Sequence, residues 1–410
     1  MTDATCNMNS RLRVLECTTS YPLTTSSVSG VFVGRLAEAL AKKCLVSVVT
    51  PDDHFSPDES VACSDTLRLH RVRYAPKSWQ KLAHQPGGIP VFLRTHPGYW
   101  ILVPVLLLSF LWKIIKVSRH VDVIHANWAI CGFIAGLGRW FHRKVVVTTL
   151  RGEDINQTSP ISRYILTKSI AWSDGVVFVG EGLDGKISGM YNPEKAVVIH
   201  NGVADEFVRL GLSKKDKAVS SDVIELTTVG SLIPRKNVQL IFKALAMREK
   251  SLPKLKLNVI GEGKERQKLT QLAKDLSLAD QIVFHGSCPP EDVAELLSRT
   301  TIFISASTGE GRPNAVVEAM ASGCCVIASD IAPHTQLICP GQDGLVFESE
   351  NERDLAKAID GCLNDIENTL HMGQEACQKV KKLGMTWEGC ADKYMKFFGR
   401  FVPSTGSKAG

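Results

Sequence analysis

Two acids and two cations in the rear half of this 410-residue chain carry the most specific chemistry its residue types allow. Glu310 lies in a polar loop, 305–313, that follows the apolar run 302–304. Glu318 stands one to two turns into a helix expected over 314–322, with Pro313 at or just before its first turn and Gly323 as a left-handed stop. A loop at the carboxyl end of a strand that feeds a helix N-terminus is where an open α/β sheet binds phosphates. Both carboxylates can therefore look into one crevice. A solvated loop acid and a helix-surface acid are the other reading of the same spacing. Arg235 and Lys236 are adjacent, between a strand expected over 225–229 and a helix ending at Ala246. Two cations there suit a diphosphate, and a solvated basic turn is the alternative.

The stretch Ser307-Thr-Gly-Glu310-Gly311-Arg-Pro-Asn314-Ala315-Val-Val-Glu318-Ala-Met-Ala-Ser-Gly323 resembles the E-x7-E donor-site motif of retaining glycosyltransferases of family 4. The resemblance runs over nearly the whole chain, densely in the second half and loosely in the first. It implies an α/β protein of GT-B fold, with two Rossmann-like domains facing across a cleft. The pattern Trp387-Glu-x-x-Ala391 resembles the family's last helix, which crosses back to the N-terminal domain. The implied domains are 1–205 for the acceptor, 206–385 for the nucleotide sugar, and 386–410 for the crossing helix and tail.

The function implied is transfer of a sugar, with retention, from a nucleotide sugar; the apolar run 99–112 with its basic flank adds the expectation of a glycan or lipid-linked acceptor in polysaccharide or glycolipid biosynthesis. The residues carried over as catalytic are Glu310, Lys236 and Arg235. Glu318, Gly311, Asn314, Ala315, Gly230, Gly261, Gly263 and Gly286 would line the donor. Gly30, Asn127, Arg151 and Asp154 would face the acceptor. No Asp-x-Asp motif is placed to hold Mg²⁺ at a diphosphate, so neither metal nor cofactor is expected beyond the donor itself. The chain departs from the family at two points: Ser231 stands in place of an Arg, and Arg151 in place of a His. Two rival readings follow, a nucleotide-sugar epimerase on the same fold and a non-catalytic GT-B binding protein.

The elements that must position these residues alternate strand and helix. A strand at 12–17, a Ser- and Thr-rich loop to Gly30, a helix over 31–42 and a strand at 46–50 open a Rossmann-like domain without the G-x-G-x-x-G of a dinucleotide site. Ser29-Gly30 is either a small pair facing the acceptor or an N-cap supplied by Ser29. A strand at 121–125 leads to Ala126-Asn127-Trp128, and one at 144–150 leads to Arg151-Gly-Glu-Asp154. Arg151 either takes a phosphate or acidic sugar bidentately or holds Asp154. His125 is either a structural histidine or an acceptor contact. The lysine-bearing stretch 205–221 reads as an interdomain linker. Strands at 255–260 and 282–285 end in Gly261-Glu-Gly263-Lys264 and Gly286. The first turn is not a Walker A loop, because Glu265 replaces its Ser or Thr. A hairpin-like return over 337–347 and a helix over 354–363 follow.

An apolar content of 44% and a charged content of 22% are globular values, and the length exceeds one ordinary core. The net charge of +6 does not argue for nucleic acid, and no base-reading motif is present. Twelve cysteines without a C-x-x-C pair read as free thiols of a reducing cytosol. No secretory signal is evident, so a cytoplasmic location is expected. The segment 51–98 reads as irregular, basic and open to an acceptor or membrane, or simply solvated. The uncharged run 99–112 falls short of the ~20 apolar residues of a bilayer span. It reads either as a buried helix or as one lying in the membrane interface, with Lys113, Lys116 and Arg119 at the headgroups.

Overall fold

The computed structural model describes residues 11–24, 29–54, 64–84, 88–156, 159–180, 182–214, 223–248 and 253–402. It separates into two units, Met1–Gly202 with Trp387–Gly410, and Val203–Thr386.

The first unit is built on a seven-stranded sheet in the order β3-β2-β1-β4-β5-β6-β7, parallel throughout. Its strands are β1 (Arg13–Cys17), β2 (Leu45–Pro51), β3 (Leu67–Val72), β4 (Val123–Asn127), β5 (Val145–Leu150), β6 (Gly175–Phe178) and β7 (Ala196–Val198). Near-continuous apolar runs such as Val-Val-Val-Thr-Thr-Leu in β5 suit strands covered on both faces. The helix Val31–Ala41 buries Val33, Leu36, Ala37 and Leu40, one face at helical spacing.

The described parts of 51–98, residues 51–54, 64–84 and 88–98, are more ordered than their composition suggests. β3 forms the sheet edge, Arg71 reaches Asp52 at 3.4 Å, and the buried Tyr74 hydroxyl accepts the Leu82 N–H at 2.9 Å. The apolar segment is also longer than its uncharged run. A 3-10 turn, Pro97–Ile101, runs into the helix Leu102–Ser118. Together they make 22 residues, with an 18-residue window of mean hydropathy 2.0, enough by length and composition to cross a membrane. Leu106, Phe110, Ile114 and Ser118, four residues apart, are nevertheless buried as one stripe. Phe110 and Ile114 belong to the core around β1 and β4. Trp100, Ile101, Leu108 and Trp112 are exposed.

The helix Trp387–Phe398 completes this unit, burying Ala391, Tyr394, Phe397 and Phe398 in the same core as Leu36 and Leu40. The Tyr394 hydroxyl lies 3.0 Å from Thr149 Oγ1.

The second unit has a six-stranded parallel sheet ordered β10-β9-β8-β11-β12-β13. Its strands are β8 (Val223–Val229), β9 (Lys254–Ile260), β10 (Ile282–Gly286), β11 (Ile302–Ser305), β12 (Cys325–Ser329) and β13 (Leu345–Phe347). Two expectations are corrected here. The front of the supposed linker is the helix Asp205–Ser213, which buries Phe207, Val208 and Gly211 and has Asp205 and Glu206 in its favourable first turn. Lys215 and Lys217 lie outside the described residues. The return over 337–347 is not a hairpin, because β13 pairs parallel with β12 after a turn closed by Gly341 N–H to Gly344 O at 2.8 Å. The helix Ile366–Lys382, absent from the sequence reading, also packs here.

Candidate active site

In the second unit the strand order reverses between β8 and β11, so the loops leaving these neighbours run opposite ways and open a crevice. After β8 the chain passes Gly230 into a 3-10 turn, Pro234–Lys236, and Asn237 in a left-handed conformation starts the helix Val238–Ala246. After β11 the loop is tied to that turn by Thr308 N–H to Arg235 O at 2.9 Å. The consequence is a tight charged cluster. Lys236 Nζ lies 2.5 Å from Glu310 Oε1, and Arg235 Nη1 lies 3.3 Å from Glu310 Oε2. Ser307 Oγ donates to Glu310 Oε1 at 2.8 Å, and Arg235 Nη1 also donates to Gly309 O at 2.5 Å. The Glu310 side chain is 7% exposed and that of Arg235 50%, so the carboxylate is fixed from within and one cation faces solvent. Burial alone would raise the Glu310 pKa; the Lys236 and Ser307 hydrogen bonds and the two positive charges outweigh it and hold it below the usual carboxylate value.

Hydrogen bonds from Ser329 and His334, which the sequence did not reveal, steady the loop. Ser329 Oγ donates to Ser307 O at 2.6 Å. The buried His334 places Nδ1 3.0 Å from Ser329 O and Nε2 3.3 Å from Ser305 Oγ. Burial lowers its pKa, which favours the neutral ring. Ser307 lies inside the motif and could have been singled out, but nothing in the spacing of His334 marks it. A small pocket between these loops is lined by Gly230, Leu232, Lys236, Ile260, Ser305 and Ser307.

The glycines expected at the donor let backbones meet. Gly230 N–H bonds to Ile260 O at 2.9 Å and Gly261 N–H to Gly286 O at 2.7 Å. Gly261 has φ +130°, and a Cβ on it would sit 2.0 Å from Gly230 O; one on Gly263 would sit 2.3 Å from Leu232 O. Gly311 has open space around it.

Glu318 lies on the helix Asn314–Ala321 among buried Val316, Val317, Ala319 and Met320. Among the described residues its carboxylate has no hydrogen bond and no ion pair, and burial, opposed by the Arg312 charge, raises its pKa to about 7. Lys236, Arg235 and Glu310 are thus brought together directly, while Glu318 makes no direct contact with them. Asn314 and Ala315, expected to line the donor, stand at the N-terminus of the Glu318 helix, and the Asn314 N–H is already given to Arg312 O at 3.0 Å. That narrows the expectation to Ala315.

In the first unit the order reverses between β1 and β4. Gly30, φ +74°, is itself the N-cap of Val31–Ala41, and no side chain caps that helix. A Cβ at Gly30 would meet Ser20 and Tyr21 backbone at 2.5 Å. Ser29 is therefore not the cap, and its hydroxyl lies 2.6 Å from that of Ser20. His125 is fully buried between Glu16 Oε1 and Thr149 Oγ1, both at 2.7 Å, which makes it structural. Asn127 is equally buried, with Nδ2 donated to Glu16 Oε2 at 2.7 Å, so its side chain belongs to the same core network. Asp154 accepts the backbone N–H groups of Arg151 at 2.9 Å and Ala129 at 3.0 Å, and burial raises its pKa to about 6. The Arg151 guanidinium does not hold Asp154. It lies 3.8 Å from the Phe32 ring centroid and 5.2 Å from that of Trp128, and Nη1 donates to Asn201 Oδ1 at 3.3 Å.

Residues 29–207 match the model of Glycosyltransferase Family 4, and residues 212–379 that of Glycosyl transferases group 1. The chain is 27% identical over 274 residues to N-acetyl-alpha-D-glucosaminyl L-malate synthase of Bacillus anthracis, covering 64% of this chain and 70% of that one. Sucrose-phosphate synthase of Thermosynechococcus elongatus superposes with a TM-score of 0.69 at 19% identity, over 95% of this chain and 99% of that one. HepE of Anabaena, solved in complex with UDP and glucose, superposes with a TM-score of 0.62 at 16% identity, over 95% and 100%. Two parallel α/β sheets with these neighbours constitute the GT-B fold, and with two family models spanning most of its length, the chain belongs to the family 4 glycosyltransferases.

Proposed function

We propose that this glycosyltransferase uses a nucleoside-diphosphate sugar as donor, bound by the second unit, and transfers the sugar with retention to a glycan or lipid-linked acceptor. The observation that carries the reading is the Lys236–Glu310–Arg235 cluster at the reversal of strand order. A diphosphate competes with Glu310 for Lys236 and Arg235, and the two cations offset the charge that grows on the leaving group. Glu310, kept ionised, is then free to bind sugar hydroxyls and favour positive charge at the anomeric centre. The unpartnered Glu318 carboxylate offers two oxygens to the two hydroxyls of a ribose. HepE, solved with UDP and glucose, supports a uridine nucleotide as the first donor to try. Because side-chain cations carry the leaving-group charge in this reading, transfer is expected to persist in excess EDTA.

The lipid-linked acceptor is supported by the exposed Trp100, Ile101, Leu108 and Trp112 beside Lys113 and Lys116, a pattern suited to an anionic membrane surface. Polysaccharide or glycolipid synthesis on the cytoplasmic face is the setting this reading predicts.

Mass spectrometry of products from UDP- and GDP-sugars with lipid-linked and free glycan acceptors tests the proposal. A glycosylated acceptor whose formation requires Lys236 supports it. Epimerised donor without any acceptor would instead favour an isomerase, and nucleotide binding with no turnover across the panel would favour a binding protein.

A further inference from the structure

An arginine taken out of water is normally matched by a carboxylate, because an unpaired buried charge costs several kcal/mol or more. Arg151 departs from that rule. It is 7% exposed, and no carboxylate pairs with it among the described residues. Asp154, three residues on, spends both oxygens on backbone N–H groups. Among the described residues one guanidinium hydrogen bond is formed, to Asn201, and Nε is buried without an acceptor. The aromatic rings of Phe32 and Trp128 fix the guanidinium in place, and the Trp128 indole N–H is a second buried donor with no acceptor among the described residues. Trp128 holds a left-handed φ of +80°, which a bulky residue adopts only where its surroundings enforce it. Phe32 sits in the first turn of Val31–Ala41, a helix whose N-terminus has no side-chain cap among the described residues and so presents N–H groups and a positive dipole end. Every unsatisfied group named here is a donor or a partial positive charge.

We infer that Arg151, with the Trp128 indole and the Val31–Ala41 helix N-terminus, forms a built anion site that takes the phosphate or carboxylate of a substrate. Calling the ligand a substrate rests on the transferase reading; the anion site itself does not. Either the acceptor or an acidic donor sugar can supply the group, and in both cases two anionic oxygens pair bidentately with the planar guanidinium.

The test uses the full chain and begins with inorganic phosphate, read as a shift of melting temperature in the wild type, Lys236→Ala, Arg151→Gln and Arg151→Lys. The expected result is a phosphate-dependent rise in the wild type that persists in Lys236→Ala, is lost in Arg151→Gln and is weakened in Arg151→Lys. Should Arg151→Gln fold poorly, Arg151→Lys, which keeps the charge but loses the fork, gives the same reading. No phosphate effect in the wild type, or one of equal size in Arg151→Gln, overturns the site. Without phosphate, Arg151→Gln is expected to melt no lower than the wild type, since it removes an unpaired charge; a marked fall in both Arg151→Gln and Arg151→Lys would make Arg151 a structural residue instead. The source is then assigned by kcat/KM. A loss of ~10–100-fold in Arg151→Gln with UDP-glucuronate but not UDP-glucose assigns the anion to the donor, and the same loss confined to phosphorylated or carboxylated acceptors assigns it to the acceptor. Absence of transfer with every pair would sink the transferase reading while leaving the phosphate experiment intact.

Discussion

Glu310 and Glu318 meet opposite surroundings, and pH separates them. Glu310, ringed by Lys236, Arg235 and Ser307, stays ionised well into acid. Glu318 has a pKa raised from 4.5 to about 7 by burial. Its protonated form is favoured by folding, so its stabilising contribution is complete at acid pH and is lost as pH rises through about 7. Glu318→Gln is accordingly expected to melt progressively above the wild type between pH 5 and pH 8. Thermal unfolding across that range checks this, and a constant gap would contradict it. Nucleotide affinity should run the other way, strengthening through pH 7 in the wild type and staying weak and flat in Glu318→Gln. Lys236→Ala is expected to lose on the order of 10²-fold or more in kcat, visible in single-turnover kinetics. Glu310 and the adjacent cations could be placed in loops after strands and Glu318 on the following helix, but spacing alone left a solvated reading open, and family likeness singled them out. The Ser307–Ser329–His334 support was not legible, because it joins residues through the fold rather than along the chain.

At the scale of elements, the glycine-lined turns separate fit from tolerance. Gly261→Ala forces a Cβ against Gly230 O, so it is expected to lower the melting temperature and weaken nucleotide binding together. Gly311→Ala meets open space and should leave the melting temperature unchanged. The helix Leu102–Ser118 divides in the same way. Leu108→Glu, on the exposed face, is expected to keep the fold but abolish flotation with anionic vesicles, whereas Ile114→Glu, on the buried stripe, should unfold the first unit. Vesicle binding unaffected by Leu108→Glu would remove the membrane contact. The sequence understated this helix because Lys113 and Lys116 ended the uncharged run without ending the helix; long lysine stems lie along apolar surface while their charges reach water. β3 and the helix Asp205–Ser213 were hidden for a related reason, since charged residues on exposed faces masked short apolar stripes.

The whole molecule is two cores, and the returning C-terminal helix belongs to the first. Phe398 is fully buried there, so Phe398→Ala is expected to cost about 3–5 kcal/mol in the stability of that unit. Calorimetry should show its transition moving while that of the second unit stays. Chain length and strand–helix alternation made both units legible, but the crossing helix came from family likeness, not from periodicity. The central claim concerns the second unit: one crevice grips a nucleoside diphosphate through Lys236 and Glu318. Isothermal titration of UDP into the wild type, Lys236→Ala and Glu318→Ala tests it most directly. Saturable binding by the wild type that falls at least ~10-fold in each variant is the predicted result. Equal affinity in all three, with each variant folded, would contradict it.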